Sequence, residues 1–344
     1  MNILLYEFVT GGGCYAVHDG AEPPQSLAAE GAAMLIALAT DLAALPRTQL
    51  TVLRDQRRAD VKLPECQIVK VGSAKEEFAA FSAAAKVADW SIVIAPEFDG
   101  NLLERCRWVA DVGGKLLGPS TKIVAIAGDK HATAVWLQSA GVNAPRGLAV
   151  RANEPLPGDF RYPAVWKPRY GAGSQGVRLL AASPDRTSVG FVPHELGRLE
   201  EYCPGLPVSV ACLCGPVGIF PLPVCRQHLS QDGSFTYLGG SLPLSTGLAE
   251  RASSIARRAV AALPAPLGYI GVDMVLGAAD DGSHDVVIEI NPRFTTSYVG
   301  LRAAADCNLA AALLNIATGR QPKMKFNSRV VQFSAAGTVQ SQPA

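Results

Sequence analysis

The sequence predicts a parallel α/β domain followed by a larger α+β region, and three observations carry that reading. Over the first third, short runs of branched apolar residues alternate with helical patterns, the order that builds a parallel sheet. From "PSTKIVAIAGDKHATAVWLQSAG" onward the alternation gives way to two short helices and then to strands grouped around glycine-rich turns. The length, 344 residues, exceeds what one hydrophobic core usually organises, so two or three domains or lobes are expected.

The first strand is "NILLYEF". A helix follows over "SLAAEGAAMLIALATDLAAL", where Leu27, Met34, Leu35, Leu38, Leu42 and Leu45 recur at helical spacing. The strands "QLTVLRD" and "QIVKV", a helix around "AKEEFAAFSAAAKVA", the strand "SIVIAP" and a helix near "NLLERCRWVA" complete the first third. Two short helices then end at Gly141 and Pro145, and "PAVWKP" and "GVRLL" read as strands around a glycine-rich turn. Beyond them come "RLEEYCPG", "PVSVACLC" and "VGIFPLPV", a helix around "GLAERASSIARRAVAAL", and the strands "YIGVDMVLG" and "DVVIEI". One closing helix is expected over "GLRAAADCNLAAALLNIATG", and the small polar end "AAGTVQSQPA" reads as a frayed tail.

Composition narrows the function classes. Apolar residues make up 49% and charged residues 18%, a globular balance, and a formal net charge of +1 offers no global field for nucleic acid or an anionic membrane. The cysteines, Cys14, Cys66, Cys106, Cys203, Cys212, Cys214, Cys225 and Cys307, are scattered through apolar segments of a chain that needs no staples, so they read as reduced thiols. Cys212 and Cys214 share strand parity, but with no C-x-x-C pair or histidine at zinc spacing the core reading outweighs a metal site. Glu30 and Asp41 interrupt the longest apolar stretch, which reads as an amphipathic helix rather than a membrane span. "MNILLYEF" lacks the basic start and long apolar run of a signal peptide, and a cytoplasmic location is expected.

Chemistry concentrates in two segments and one further carboxylate. In "DVVIEINPRF", Glu289 and Asn291 lie two apart and share one strand face, while Val287, Ile288 and Ile290 are expected to supply packing. Asp273 lies mid-strand among apolar neighbours, where an unpaired carboxylate is costly, so it needs a partner. Three oxygen ligands on one face are hard-cation chemistry and suit magnesium bridged to phosphates. The competing structural reading pairs Asp273 and Glu289 with Arg257, Arg258 or Arg293, and leaves the Asn291 amide without a purpose. In "VWKPRYGAGSQGVR", Lys167 ends a strand before a loop holding Gly171, Gly173, Ser174 and Gly176. Such a loop lets backbone N–H groups approach an anion, and the lysine adds a fixed charge, which together suit a polyphosphate. The order is not that of a P-loop. Alone, the segment reads equally as a glycine hairpin with a surface lysine.

"GDKHATAVWLQSAG", "AVWKPRYGAGSQGV", "LEEYCPG", "GVDMVL" and "IEINPRF" occur in the order, and at roughly the separations, of the ATP-grasp superfamily, which the chain resembles over about residues 122–319. The resemblance implies an N-terminal α/β pre-ATP-grasp domain over 1–118, a two-lobed ATP-grasp fold with its small lobe over 119–197 and large lobe over 198–325, and a tail over 326–344. ATP would be gripped between the lobes. Lys130 and Lys167 would contact its phosphates under the loop of Gly171, Gly173, Ser174 and Gly176. Glu201 would accept from the adenine amino group, with Tyr202 and Cys203 offering backbone atoms to the ring. Asp273, Glu289 and Asn291 would hold Mg2+, two ions by the family pattern, with Mn2+ as an alternative. Arg293, with Lys167, would serve catalysis by steadying the transferred phosphoryl group or an acyl phosphate. Two departures stand out: Pro207 and Val208 replace a ribose-binding glutamate found in many relatives, and Gly271 stands where the D-alanine ligase branch often has an arginine.

Superfamily members mostly activate a carboxylate as an acyl phosphate that an amine then displaces, so the implied activity is a carboxylate–amine ligase releasing ADP and phosphate. That needs clamping and charge neutralisation more than a protein nucleophile. The sequence agrees: no G-x-S-x-G elbow is present, and His18, His131, His194, His228 and His284 lack a triad context. His131 reads as a packing or surface residue. "CRQHLSQDGSFTYLGG", with Arg226, Gln227, His228, Gly239 and Gly240, and "YEFVTGGGCY", with Gly11 to Gly13 ending the first strand, read as substrate segments. They resemble the branch that contains the tyramine–glutamate ligase of methanofuran-type cofactor biosynthesis. That branch implies glutamate and an aromatic amine as small-molecule substrates, with Arg226 or Arg302 holding the unreacted carboxylate. Two rivals come from other classes. Gly11, Gly13 and Ala16 fit G-x-G-x-x-A of a dinucleotide-binding oxidoreductase, but Pro23 and Pro24 interrupt the segment where the phosphate-binding helix should run. A non-catalytic nucleotide-binding regulatory module is opposed by the intact lysines and metal ligands. No nucleic-acid or membrane partner is expected, and a homodimer is the assembly left open.

Overall fold

The computed structural model describes residues 1–181 and 191–342, so the expected lobe over 119–197 and tail over 326–344 run partly outside the described residues. The first third folds around four parallel strands, β1 (Asn2–Glu7), β2 (Gln49–Asp55), β3 (Gln67–Val71) and β4 (Trp90–Ile94), in the order β3-β2-β1-β4. Central β1 is buried from Ile3 to Glu7, as a parallel strand covered on both faces should be. The accompanying helices are α1 (Gly13–Val17), α2 (Gln25–Ala43), α3 (Ala74–Val87) and α4 (Asn101–Asp111). The Ser73 hydroxyl starts α3 by accepting the Glu76 N–H at 3.3 Å, with Glu76 and Glu77 in the first turn complementing the helix dipole.

Helix α2 is long and apolar enough to cross a membrane, but Met34, Leu35, Leu38 and Leu42 sit in the core beside the first sheet. Gly31 lets it approach closely, since a Cβ there would collide with the Glu7 carboxylate. After α5 (Thr121–Gly128) and α6 (Lys130–Ser139), an antiparallel sheet follows. It contains β5 (Gly147–Val150), β6 (Ala164–Pro168), β7 (Arg178–Leu180) and β8 (Gly197–Glu201), in the order β5-β8-β6-β7.

The third sheet is antiparallel and built from β9 (Leu206–Gly215), β10 (Gly218–Pro221), β11 (Cys225–Leu229), β12 (Tyr237–Leu242), β13 (Gly268–Leu276), β14 (Val286–Asn291), β15 (Val330–Ser334) and β16 (Val339–Gln342). Its order is β14-β13-β9-β11-β12-β15-β16, with β10 on β9. Helix α7 (Thr246–Ala261) covers one face through Ala252, Ile255, Ala256, Ala259 and Val260, against Val208, Val210, Cys212 and Cys214 of β9. Those two cysteines are core thiols, and burial pushes the Cys212 thiol up to about 12. The other face meets α8 (Ser297–Ala304), α9 (Leu309–Ala317) and α2.

Two sequence expectations are corrected. The single closing helix is two, α8 and α9, because Asn308 starts a new helix by accepting the Ala311 N–H at 2.9 Å and donates to the Asp41 carbonyl at 2.8 Å. The end expected to fray instead supplies β16, paired with β15 from Val330↔Gln342 to Phe333↔Val339.

Candidate active site

Strands β13 and β14 bring the oxygen donors together. Asp273 and Glu289 face each other in register, Gly271 faces Asn291, and the register shifts just beyond Asp273. That bulge changes the parity of β14. Val287 and Ile290 enter the core, whereas Ile288, expected to pack, lines the cavity with Glu289 and Asn291. The Asn291 amide donates to Asp273 Oδ2 at 2.9 Å. Burial, and then the facing Glu289 carboxylate, push Asp273 up to about 7. Burial would also raise Glu289, but Lys130, Lys167 and Arg293 hold it below the usual carboxylate range.

Both predicted lysines reach this cavity, and both are already paired. Lys130 begins α6, where it ion-pairs with Glu289 and donates to the Gly171 carbonyl at 2.8 Å. Lys167, at the end of β6, contacts Glu200 Oε1 at 2.6 Å. Asp129 braces the junction by accepting the His131 and Ala132 N–H groups at 3.0 Å and by pairing with Arg169 at 2.7 Å. Burial works against the Asp129 charge, but Arg169 and those N–H groups outweigh it and lower its pKa. The alternative pairing of Asp273 and Glu289 with arginines is not found: Arg257 and Arg258 are exposed on α7, and Arg293 pairs with Glu97 of the first domain at 2.9 and 3.0 Å.

One cavity of about 230 Å³ is lined by Lys130, Lys167, Gly171, Gly173, Ser174, Glu201, Tyr202, Cys203, Asp273, Glu289, Asn291 and Arg293. Of the predicted set only Gly176 does not line it; it packs on Pro168 beside the loop. Tyr202 uses its N–H on the Pro163 carbonyl at 3.1 Å, which leaves its carbonyl and its ring, stacked with Phe235 at 6.2 Å. Pro207 lines the same cavity. At Gly271 a Cβ would lie 2.9 Å from Thr295, so an arginine there has no room.

Among the described residues no three His, Cys, Asp or Glu side chains cluster at metal-binding spacing. The donor set is two carboxylates and an amide, all capable of offering oxygen. Two facing carboxylates and the Asn291 amide on one wall of the cavity are hard oxygen donors, and a hard divalent cation fits them.

The remaining expectations divide. Gln227 lines the cavity, but Arg226 and His228 are exposed, and His228 contacts the Ser241 hydroxyl at 3.0 Å. Gly239 and Gly240 serve strand pairing, lying against Phe333 of β15. Arg302 is tied to Asp41 at 2.7 Å rather than to a substrate position. His131 is half-buried, and its Nδ1 is within hydrogen-bonding distance of the Arg198 guanidinium at 2.8 Å. Gly11 to Gly13 are buried: a Cβ at Gly11 would lie 2.5 Å from the Tyr6 ring, and one at Gly13 would strike Tyr6 and Phe8. That loop has no room for a dinucleotide or a substrate. Among the cavity residues that escaped the sequence reading or were put to another use are Glu30, Glu200, Thr296 and Tyr237. Glu200 was findable, because it is two from Arg198 on β8, which places a charged pair on one strand face.

Comparison with known proteins agrees with this architecture. Residues 127–297 match the family model of the ATP-grasp domain, and residues 48–124 match that of the pre ATP-grasp 3 domain. The tyramine–L-glutamate ligase of Methanocaldococcus jannaschii is 25% identical over 247 residues, covering 72% of this chain and 68% of the relative. An ATP-grasp superfamily protein from Archaeoglobus fulgidus superposes with a TM-score of 0.71 at 22% identity, covering 97% of this chain and 92% of that one. The L-amino acid ligase from Bacillus licheniformis gives a TM-score of 0.67 at 16% identity, covering 96% and 78%.

Proposed function

The chain belongs to the ATP-grasp family, with a pre-ATP-grasp domain ahead of its nucleotide-gripping unit, and from that premise we propose that it joins a carboxylate to an amine through an acyl phosphate. ATP-grasp ligases form C–N bonds at the expense of ATP with magnesium as cofactor, and the residues lining the cavity suit those needs. Lys130 and Lys167 hold the phosphates, and the loop of Gly171, Gly173, Ser174 and Gly176 covers them. Glu201, Tyr202 and Cys203 receive the adenine. Asp273, Glu289 and Asn291 would hold magnesium, two ions in this reading, with manganese able to substitute, and the bound ion would supply charge neutralisation at the phosphates.

A carboxylate oxygen of the first substrate takes the γ-phosphoryl group and ADP leaves. The amine nitrogen then displaces phosphate from the acyl carbon and gives up a proton, leaving an amide. Arg293, oriented by Glu97, faces the charge that develops on the transferred group. The observation that carries the reading is a single one: both lysines, both carboxylates, Asn291 and Arg293 line one cavity beneath a glycine loop.

Glutamate as the carboxylate and tyramine or a related aromatic amine as acceptor, in methanofuran-type cofactor biosynthesis, is the finer proposal, supported by the name of the Methanocaldococcus relative. Labour divides along 1–118, 119–197 and 198–325, with a tail over 326–344 whose strands Val330–Ser334 and Val339–Gln342 close the last sheet, and the location is cytoplasmic. The decisive test replaces the amine with hydroxylamine. An ATP- and magnesium-dependent hydroxamate, with ADP and phosphate released, is expected. Hydroxamate from another acid but never from glutamate would remove the finer proposal, and AMP with pyrophosphate would remove the ligase mechanism.

A further inference from the structure

Glu30 reaches the cavity from the first domain. It falls three residues after Leu27 and four before Met34, on the apolar stripe of α2, where a carboxylate is out of place. The close seat of α2 on β1, permitted by Gly31, brings Glu30 to the cavity wall. Among the described residues nothing forms a salt bridge or hydrogen bond with it. Burial raises its pKa and the Arg293 charge lowers it only in part. Glu30 shares the cavity wall with Tyr237 and Asp273, and the charges of both acids act on the Tyr237 hydroxyl, which places Glu30 on the Asp273 side of the cavity.

A second observation lies opposite in chemical character. Thr296 precedes α8 and is 6% exposed, yet it lines the cavity. Its hydroxyl makes no capping bond, and no hydrogen-bond partner for it is found among the described residues. The positive end of α8 and a free hydroxyl suit a carboxylate, as an unpaired Glu30 suits a cation.

We infer that the metal side of the cavity is an amino-acid subsite, in which Glu30 receives a substrate ammonium group and Thr296 at the start of α8 receives a second carboxylate. The inference rests on the proposed ligase reading and deepens it: the pre-ATP-grasp domain takes part in choosing the substrate. The reacting carboxylate then lies toward the metal ligands, and Glu30 and Thr296 take the two polar groups that do not react.

The test measures binding by calorimetry to protein carrying magnesium and a non-hydrolysable ATP analogue. The probes are L-glutamate, glutarate, which lacks the ammonium, 4-aminobutyrate, which lacks the second carboxylate, and tyramine. Glu30→Gln is expected to weaken glutamate and 4-aminobutyrate by about tenfold or more and to leave glutarate unchanged. Thr296→Val is expected to weaken glutamate and glutarate but not 4-aminobutyrate. Thermal melting and analogue affinity equal to wild type identify the effect as local. Equal losses for glutarate and glutamate in Glu30→Gln, or a loss confined to tyramine, would overturn the subsite. So would failure of wild type to bind glutamate, even if hydroxamate formed from another acid and the ligase chemistry stood. Loss of analogue binding by wild type would instead strike the ligase reading.

Discussion

Two glycine-rich loops follow strands of this chain, and they do opposite things. The first, Gly11 to Gly13 after β1, is closed on itself. The Glu7 carboxylate accepts the Val9 and Thr10 N–H groups at 2.9 and 2.8 Å, and Gly11, Gly12 and Cys14 donate to the carbonyls of Glu7, Val9 and Phe8. The second, Gly171 to Gly176 after β6, is open. A Cβ at Gly173 would meet nothing within 4 Å, and only Gln175 and Val177 donate main-chain bonds within the loop. Glycine reports that something approaches the backbone. The neighbours decide what: Tyr6, Glu7 and Phe8 at the first loop, and solvent above two lysines at the second.

The largest expected effect tests whether the open loop covers chemistry. Asp273→Asn and Glu289→Gln should each lower turnover on the order of a thousandfold while the protein stays folded, because they remove charge where phosphoryl transfer needs it. Steady-state phosphate release and circular dichroism read the two outcomes. Near-normal turnover at unchanged magnesium would leave the loop as the ordinary hairpin that the sequence alone also allowed.

Much of this contrast was legible and part was not. The order of elements, the parallel first sheet and the convergence of Glu289 and Asn291 follow from local periodicity, which a strand transmits directly to its faces. What the sequence could not give depends on contacts between distant segments. The bulge beside Asp273 turns Ile288 toward the cavity, Gly31 seats α2 on Glu7, and Asn308 breaks a continuous apolar run into α8 and α9. Glu30 was visible as a charge on an apolar stripe, but its place on the cavity wall appears only once the third sheet stands beside α2.

Next in size is the separation of affinity from stability. Lys167→Met should weaken ATP by about 1.5–3 kcal/mol, the value of a charge-assisted contact, and leave the carboxylic substrate little changed. Gly13→Ala should do the reverse. Crowding Tyr6 and Phe8 should cost about 1–3 kcal/mol of stability, with nucleotide affinity of the folded protein unchanged. Gly173→Ala should cost about 1–2 kcal/mol, because its φ of 64° is left-handed although the space is free. Calorimetric ATP affinity and urea midpoints separate these effects. Weaker ATP binding by Gly13→Ala at an unchanged midpoint would make the first loop a ligand loop after all.

The smallest effect concerns the acid that closes the first loop. Glu7 is 3% exposed, and burial raises its pKa, with the Val9 and Thr10 N–H groups offsetting that only in part. Below the unfolded value of about 4.3, both states hold the proton and the contribution of Glu7 is complete. As pH rises the unfolded chain ionises first, so this contribution is lost progressively until pH passes the folded value. Glu7→Gln keeps an oxygen for the loop N–H groups and has no proton to lose. The melting temperature of Glu7→Gln should therefore gain on wild type as pH rises above the unfolded value of about 4.3, and the difference should level off above the folded pKa. Other carboxylates titrate alike in both proteins and cancel. A difference that is flat with pH would mean that the two N–H bonds fully offset burial. A difference that shrank would mean that the loop binds the charged acid better than water does, and the first loop would then qualify as an anion cradle whose anion is its own glutamate.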